Sequence, residues 1–368
     1  MRSLRIAQIA GIAERVPPHY YGGTERVVYS LTEELVKRGH NVTLFASGNS
    51  QTSAKLVAIF PKSLREVRWG NIYGPNILTL LNIGYAYQQQ NQFDIIHDHN
   101  NYLSLPTANL SQTPVVMTLH GALGVNEKRI FENLQHPFLV TISKAQSKSA
   151  PNLNYIGNVY HGLKMNNYPF FQKDGGYLLF VGRISREKGL HLAIEVAQYL
   201  DMPLIIAAKL NTTVDAPHDV QYFHEYIEPK LSSQIRWIGE VDEKQRNLLM
   251  SNATCLLHPI TWPEPFGLTV IEAMACGCPV VTFNLGSMPE IIENGKTGFI
   301  VDGIDGMVGA VANIKKIQRR VCREYVLERF TVEKMTDGYE KIYQQVLEKQ
   351  EKGYRFSKPS RPPYLSHK

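Results

Sequence analysis

At ~100–200 residues per domain, the 368-residue chain is expected to form two domains, and its 43% hydrophobic and 20% charged residues exclude a disordered, collagenous or fibrous protein. No stretch approaches the ~20 apolar residues of a membrane span; the richest near the N-terminus, Asn76 to Tyr87, is interrupted by Asn82 and Gly84. The net charge of +6 is uneven: residues 1–170 carry 15 Lys+Arg against 9 Asp+Glu, whereas residues 171–368 carry 24 of each. A solvated basic surface is the simpler account of that excess. The other is an anionic partner, such as phosphate or an acidic inner membrane face touched peripherally. Met1-Arg2-Ser3-Leu4 leads straight into a strand pattern, so no signal peptide is expected. Four cysteines (Cys255, Cys276, Cys278, Cys322) match neither a disulfide framework nor a zinc spacing. Together these point to a reducing, cytoplasmic setting.

In chain order, short β-branched runs predict strands over Arg5–Ala10, Val42–Phe45, Asp94–His97, Val115–Leu119 and Phe138–Ile142. Between the first two, Val27, Val28, Leu31, Leu35 and Val36 keep the helical period, predicting a helix from Thr24 as N-cap to Arg38, stopped by Gly39. A linker is expected near Tyr168–Gly176. The alternation then restarts with strand Leu178–Val181, helix Gly189–Leu200, and strands Leu204–Ala208 and Arg236–Gly239. It continues with helix Glu243–Met250, strand Cys255–His258, a helix ending near Cys276 and strand Pro279–Phe283. From Ile304 the pattern is helical through Tyr325–Phe330 and Val332–Gln350, before a polar tail, Gly353–Lys368, read as poorly ordered. This order predicts two doubly wound parallel sheets, an α/β protein with ligands at the carboxyl ends of strands beside helix N-termini.

The segment Trp262-Pro-Glu-Pro-Phe-Gly-Leu-Thr-Val-Ile-Glu272-Ala-Met-Ala-Cys-Gly-Cys-Pro-Val follows a strand. Pro265 suits a first helical turn, which would leave the amides of Phe266, Gly267 and Leu268 free to hold an anion. Glu272 lies among Val270, Ile271, Ala273 and Met274, where a charge needs a partner. Two carboxylates flanking an anion site suit a ligand with both phosphates and hydroxyls. A second element, Gly182-Arg-Ile-Ser-Arg-Glu-Lys188-Gly189, places two cations, Arg183 and Lys188, between a strand and a helix start, where they can neutralise a departing diphosphate. A third, Tyr20-Tyr-Gly22-Gly23-Thr24-Glu25, puts glycines before the first helix. His120 closes the strand pattern of Val115–Leu119 beside Gly121.

The glutamate pair in its Pro-Glu-Pro-Phe-Gly…Glu-Ala-Met-Ala frame resembles the signature of retaining family-4 (group 1) glycosyltransferases with the GT-B fold. The resemblance extends from the first strand to the last long helix. It implies residues 1–170 as an acceptor-binding domain and 171–335 as a nucleotide-sugar-binding domain, facing each other across a cleft. Residues 336–352 would return as a helix to the first domain, and 353–368 form the tail. Carried over, Glu272 would bind the nucleotide ribose and Glu264 the donor sugar, with Arg183 and Lys188 on the diphosphate. Gly22 and Gly23 would meet donor phosphate, Ile238 would lie in the turn that cups the nucleobase, and His120 would contact the donor sugar. Ser143 and His99 would stand on the acceptor side. His161 stands where the family often has Asn, and Ala208-Lys209 stands in place of the family's small glycines.

The implied reaction is transfer of a hexose, first guess glucose, from a UDP-linked donor to an acceptor hydroxyl with retention. The nucleotide sugar is a co-substrate; no cofactor and no metal are expected, since no Asp-x-Asp triplet occurs and adjacent His97-Asp98-His99 point in opposite directions along an extended chain. The acceptor is not named by the sequence: a sugar, a lipid-linked or a small molecule fits, and no nucleic acid is expected. A phosphorylase acting on a disaccharide, or a non-catalytic nucleotide-sugar-binding protein, would use the same residues. A nicotinamide site is disfavoured because Ala10-Gly-Ile-Ala-Glu-Arg follows the first strand in place of Gly-x-Gly-x-x-Gly.

Overall fold

The computed structural model describes residues 2–67, 75–210 and 217–352. The polar tail expected over 353–368 lies outside them. In chain order the first elements are β1 (Arg5–Ile9), α1 (Gly23–Lys37), β2 (Asn41–Phe45), β3 (Lys55–Val57), α2 (Pro75–Gln88), β4 (Ile95–Asp98) and α3 (Leu105–Ala108). Then come β5 (Val115–Thr118), α4 (Val125–Asn133), β6 (Phe138–Thr141), α5 (Lys144–Ser149) and β7 (Tyr155–Asn158). The second series runs β8 (Leu178–Arg183), α6 (Leu190–Tyr199), β9 (Leu204–Lys209), α7 (Pro217–Tyr222), β10 (Ile235–Trp237), α8 (Glu243–Asn252), β11 (Cys255–His258) and α9 (Leu268–Ala275). It closes with β12 (Val280–Phe283), α10 (Met288–Ile291), β13 (Gly298–Val301), α11 (Gly303–Ala312), α12 (Arg319–Arg329) and α13 (Val332–Glu351).

The chain divides into two compact units, one of residues 1–18, 22–162 and 332–368, the other of 19–21 and 163–331. The division after Gly162 precedes the linker expected near Tyr168–Gly176. The first unit holds a seven-stranded sheet in the order β3-β2-β1-β4-β5-β6-β7, and every pairing is parallel. The second holds six parallel strands in the order β10-β9-β8-β11-β12-β13. Strands covered on both faces read as unbroken apolar runs, and β4, β5, β6 and β11 are buried at every position. In both sheets the order reverses beside the first strand of its series, the switch point where ligands sit in such folds.

Helix α13 belongs to the first unit. The chain returns to it only at Val332, and Tyr339 and Tyr343, one turn apart, are fully buried there. Arg38, just past the end of α1, ties α13 down: its Nη1 lies 2.7 Å from Asp337 and 2.5 Å from Glu340, and its Nη2 donates to the Glu333 carbonyl at 2.9 Å. His40 Nε2 is 2.9 Å from the other Glu340 oxygen.

Two helix starts differ from the sequence expectation. The N-cap of α1 is Gly22, not Thr24, because the backbone there turns through φ 146° before the helix begins. A Cβ at Gly22 would lie 2.8 Å from Pro18 and 3.0 Å from Glu25 Oε2, so only glycine fits. Helix α9 begins at Leu268, after Pro265 and Phe266, with Gly267 as a left-handed N-cap (φ 85°). The leading amides of α9 therefore belong to Leu268 and Thr269, and Glu272 sits one turn inside it.

Candidate active site

In the second unit, the turn after β8 and the loop after β11 are built against each other. Gly189, left-handed at φ 72°, lies against the Pro259 carbonyl with no room for a Cβ, and Thr261 N donates to the Glu187 carbonyl at 2.9 Å. That contact brings Lys188 to Glu264: Nζ stands 2.6 Å from Oε2. Trp262 Nε1 donates to the same oxygen at 2.9 Å, and Lys188 Nζ lies 5.1 Å from the centre of the Trp262 ring. The Glu264 loop is clamped from the start of α10, where the N-cap Ser287 donates its N–H to the Glu264 carbonyl at 3.0 Å and its Oγ to the Phe266 carbonyl at 2.8 Å.

Arg183 ends β8 and is half-buried. Its Nη2 pairs with Glu187 at 2.6 Å, and its Nε lies 4.0 Å from Asp219. Arg183 and Lys188 thus leave the same strand on one short turn. His258, at the carboxyl end of β11, is buried beside this pair; burial carries its imidazole down to about 4, Glu264 opposing and Lys188 reinforcing the shift. Ile238, 42% exposed, follows β10, its N–H donating to the Ile206 carbonyl at 3.0 Å, before left-handed Gly239.

Glu272 is held inside the unit. Arg246 Nη2 meets its Oε1 at 2.9 Å and the Tyr168 hydroxyl donates to the same oxygen at 3.3 Å. The expected partner for a charge on this apolar helix is Arg246 of α8. Phe266 is buried edge-on to Phe330, with 6.0 Å between ring centres, so its side chain packs inward and only its backbone borders the loop. A Cβ on Gly267 would meet Met288 Cε at 2.7 Å.

In the first unit, Gly11, Gly22, Glu25 and Asn100 gather where β1 and β4 end and α1 begins. A Cβ on Gly11 would lie 3.6 Å from Asn100 Oδ1 and 4.0 Å from Glu25 Oε1. Burial lifts the Glu25 carboxyl to about 7, and Glu14 adds to the rise. His120, two residues beyond β5, is partly buried. Its backbone N–H donates to Asn101 Oδ1 at 3.1 Å, its Nε2 lies 2.9 Å from His99 Nδ1, and its ring stacks on His161 at 5.3 Å.

The two residues expected on the acceptor side are both buried. His99 is 3% exposed and wedged between His120 and Gln8, its ring nitrogens 2.9 Å and 2.7 Å from them. Ser143 is fully buried as the N-cap of α5, its hydroxyl oxygen accepting from Gln146 N at 3.1 Å. His97 and His99 have both ring nitrogens engaged by protein groups, and Asp98 bonds Tyr87 and Asn100. Among the described residues no three His, Cys, Asp or Glu side chains are placed to hold a metal ion. The four cysteines are buried free thiols; burial raises Cys278 to about 12, which makes it an inert packing group. No helix among the described residues is long and apolar enough to cross a membrane.

Gln8, Arg246, Trp262 and His258 were not singled out from the sequence. Gln8 had a signal, being the one polar residue in Ile-Ala-Gln-Ile-Ala, and a buried amide must be hydrogen-bonded. Arg246 had none, since its α8 reads as a surface helix.

Residues 166–324 match the profile of the glycosyl transferases group 1, and residues 21–156 that of glycosyltransferase family 4. The N-acetyl-alpha-D-glucosaminyl L-malate synthase of Bacillus anthracis is 24% identical over 90% of this chain and 96% of its own length. The phosphatidyl-myo-inositol mannosyltransferase of Mycobacterium tuberculosis is 23% identical over 87% of this chain and 89% of its own. Sucrose-phosphate synthase from Thermosynechococcus elongatus shares the fold with a TM-score of 0.77, 18% identity, 94% of this chain and 100% of that one. Anabaena Alr3699/HepE, solved with UDP and glucose, gives 0.72 at 18% identity over 93% and 100%. With both halves matched and the two-sheet GT-B architecture shared, the chain belongs to the group 1 glycosyltransferases.

Proposed function

We propose that this glycosyltransferase moves a hexose, first guess glucose, from a UDP-linked donor to an acceptor hydroxyl with retention of configuration. The observation that carries the reading is the Lys188–Glu264 contact at 2.6 Å, with Arg183 at the start of the same turn. It brings together, at the carboxyl end of one sheet, the cation this reading gives to the diphosphate and the carboxylate it gives to the sugar. The UDP and glucose in a structure of the same fold support the choice of donor.

In this reading, Arg183 and Lys188 bind the diphosphate and neutralise the charge that grows on it as the bond from sugar C1 to phosphate oxygen breaks. The acceptor oxygen forms the new bond to C1 on the same face, and its proton passes to the departing diphosphate. Glu264, released from Lys188 by the incoming phosphate, accepts hydrogen bonds from sugar hydroxyls. Glu272, to take the ribose, has to share its carboxylate with Arg246. Because two cations serve the diphosphate, turnover is expected without added metal.

Thermal unfolding of the purified protein with UDP, GDP, ADP and UDP-glucose, in chelator, tests the reading, since binding to the native state raises Tm by mass action. A rise with UDP and UDP-glucose supports it and opens acceptor screening through UDP release. No rise with any of the four, in a folded sample, removes the donor site. Phosphate-dependent cleavage of a disaccharide would replace transfer with phosphorolysis.

A further inference from the structure

A chain of hydrogen bonds crosses the buried face of the first unit from α13 to His120. Tyr339 OH lies 2.9 Å from Thr118 Oγ1, which is 2.8 Å from His97 Nε2; His97 Nδ1 is 2.7 Å from Tyr343 OH. The Gln8 amide nitrogen stands 3.4 Å from Tyr343 OH, and on its other side Gln8 Oε1 is 2.7 Å from His99 Nε2. His99 Nδ1 is 2.9 Å from His120 Nε2. Gln8, His97, Thr118, Tyr339 and Tyr343 are 0% exposed and His99 is 3% exposed, so water does not supply alternative partners.

In such a chain each neutral imidazole has one N–H and one lone pair, and one choice of proton position sets all the others. Burial keeps the rings neutral: His97 and His99 are held well below the usual histidine range, and His120 is carried down to about 3. The titratable groups that act on them are the rings themselves: His120 lowers His97 and His161, and His97, His120 and His161 lower His99. The carbonyl oxygen of Gln8 can only accept, so His99 carries its proton on Nε2. His99 Nδ1 is then a lone pair, so His120 must donate from Nε2. On the other side the Gln8 amide donates to Tyr343, Tyr343 to His97 Nδ1, and His97 Nε2 to Thr118. The Gln8 amide nitrogen, a donor only, also stands 3.4 Å from His97 Nδ1, so the orientation of the Gln8 amide makes that nitrogen the lone pair of His97 as it makes Nδ1 the lone pair of His99.

We infer that Gln8, acting through His99, is a positioning residue that holds His120 in its Nε2–H tautomer and leaves Nδ1 as a hydrogen-bond acceptor for a sugar hydroxyl. The second half rests on the reading of His120 as a sugar-contacting residue. The consequence is selectivity: an acceptor nitrogen favours a ligand that presents a hydroxyl there and disfavours one that lacks it, as a deoxy-sugar does.

The test uses the full chain labelled with 15N-histidine, with ring signals assigned by single His→Asn variants. Proton-coupled ring spectra at pH 7 distinguish the two nitrogens of each imidazole. The expected result is His97, His99 and His120 all protonated on Nε2. His120 protonated on Nδ1, or averaged between tautomers, overturns the inference. In Gln8→Met the His120 signals should collapse to an average. Gln8→Glu, which keeps an acceptor oxygen facing His99, should restore the single tautomer; an unchanged His120 in folded Gln8→Met overturns the role of Gln8. UDP-glucose is then added. A shift confined to His120 Nδ1 supports the sugar contact, and Gln8→Met should then lose about tenfold in kcat/KM for UDP release while Gln8→Glu recovers it. If UDP-glucose raises Tm but leaves Nδ1 unmoved, the sugar contact fails while the tautomer result stands. If it does not bind, the donor reading fails, and the tautomer has still been decided.

Discussion

Lys188 Nζ and Glu264 Oε2 lie 2.6 Å apart although 76 positions separate the two residues in the chain. The side chains are only 18% and 13% exposed, so the cost of desolvating both charges offsets much of their attraction. The contact is maintained by the backbone around it, where Gly189 sits on the Pro259 carbonyl and Ser287 holds the Glu264 loop. Lys188→Ala and Glu264→Gln should therefore each fold normally and lower kcat by about 100-fold or more, the scale for removing one group aimed at developing charge. Turnover of UDP release alongside Tm measures this; a variant within threefold of the parent sinks the assignment.

The Arg246–Glu272 pair behaves oppositely. Both side chains are buried, at 6% and 3% exposed, so removing one partner strands a charge. Arg246→Met should destabilise the protein by about 3–5 kcal/mol, and Arg246→Met with Glu272→Gln should recover most of that loss. Urea unfolding of the three proteins decides it. Equal loss in the single and double variants would mean that packing and not charge is responsible.

Gly189→Ala should lose about 3 kcal/mol or more, because φ 72° is strained for a side chain and the Pro259 carbonyl fills its place. Gly39→Ala, at φ 86° with nothing within 4 Å, should lose only the strain, about 1–2 kcal/mol. The difference between the two in denaturant unfolding reports the close approach itself.

Stability should fall as the solution is acidified from pH 6.5 toward 5. His97, His99, His120 and His161 stay neutral in the folded state but take up protons on unfolding, so the unfolded state binds more protons in this window. Each contributes about 1.4 kcal/mol per pH unit below its unfolded value near 6.5 and above its folded one. Glu25, raised to about 7, opposes with one such increment between its unfolded value and pH 7, because it is the folded state that holds its proton there. The histidines outnumber it, and the net slope stays positive. Unfolding free energies at pH 6.5, 5.8 and 5.0 measure it; a flat profile would mean these rings are not buried neutral.

The alternation of strands and helices, the restart near residue 177 and the fold class were all readable from the sequence, because strand and helix periods are local properties of a run. So was the grouping of Arg183 with Lys188 on one short turn. Strands β3, β7 and β13 escaped notice because Lys55–Val57, Tyr155–Asn158 and Gly298–Val301 sit at the sheet edges, where no burial on two faces imposes an apolar run. The helix starts were misplaced because Gly22 and Gly267 adopt left-handed or extended turns that proline and threonine preferences do not signal. What only the tertiary structure decided is which polar groups meet. Arg246 on Glu272, Lys188 on Glu264 and Gln8 between His99 and Tyr343 are each joined across distant segments by strand order and helix packing. A side chain's chemistry is written in its own codon, but its partner is chosen by the fold, since hydrogen bonds and ion pairs depend on ångström distances that sequence separation does not carry.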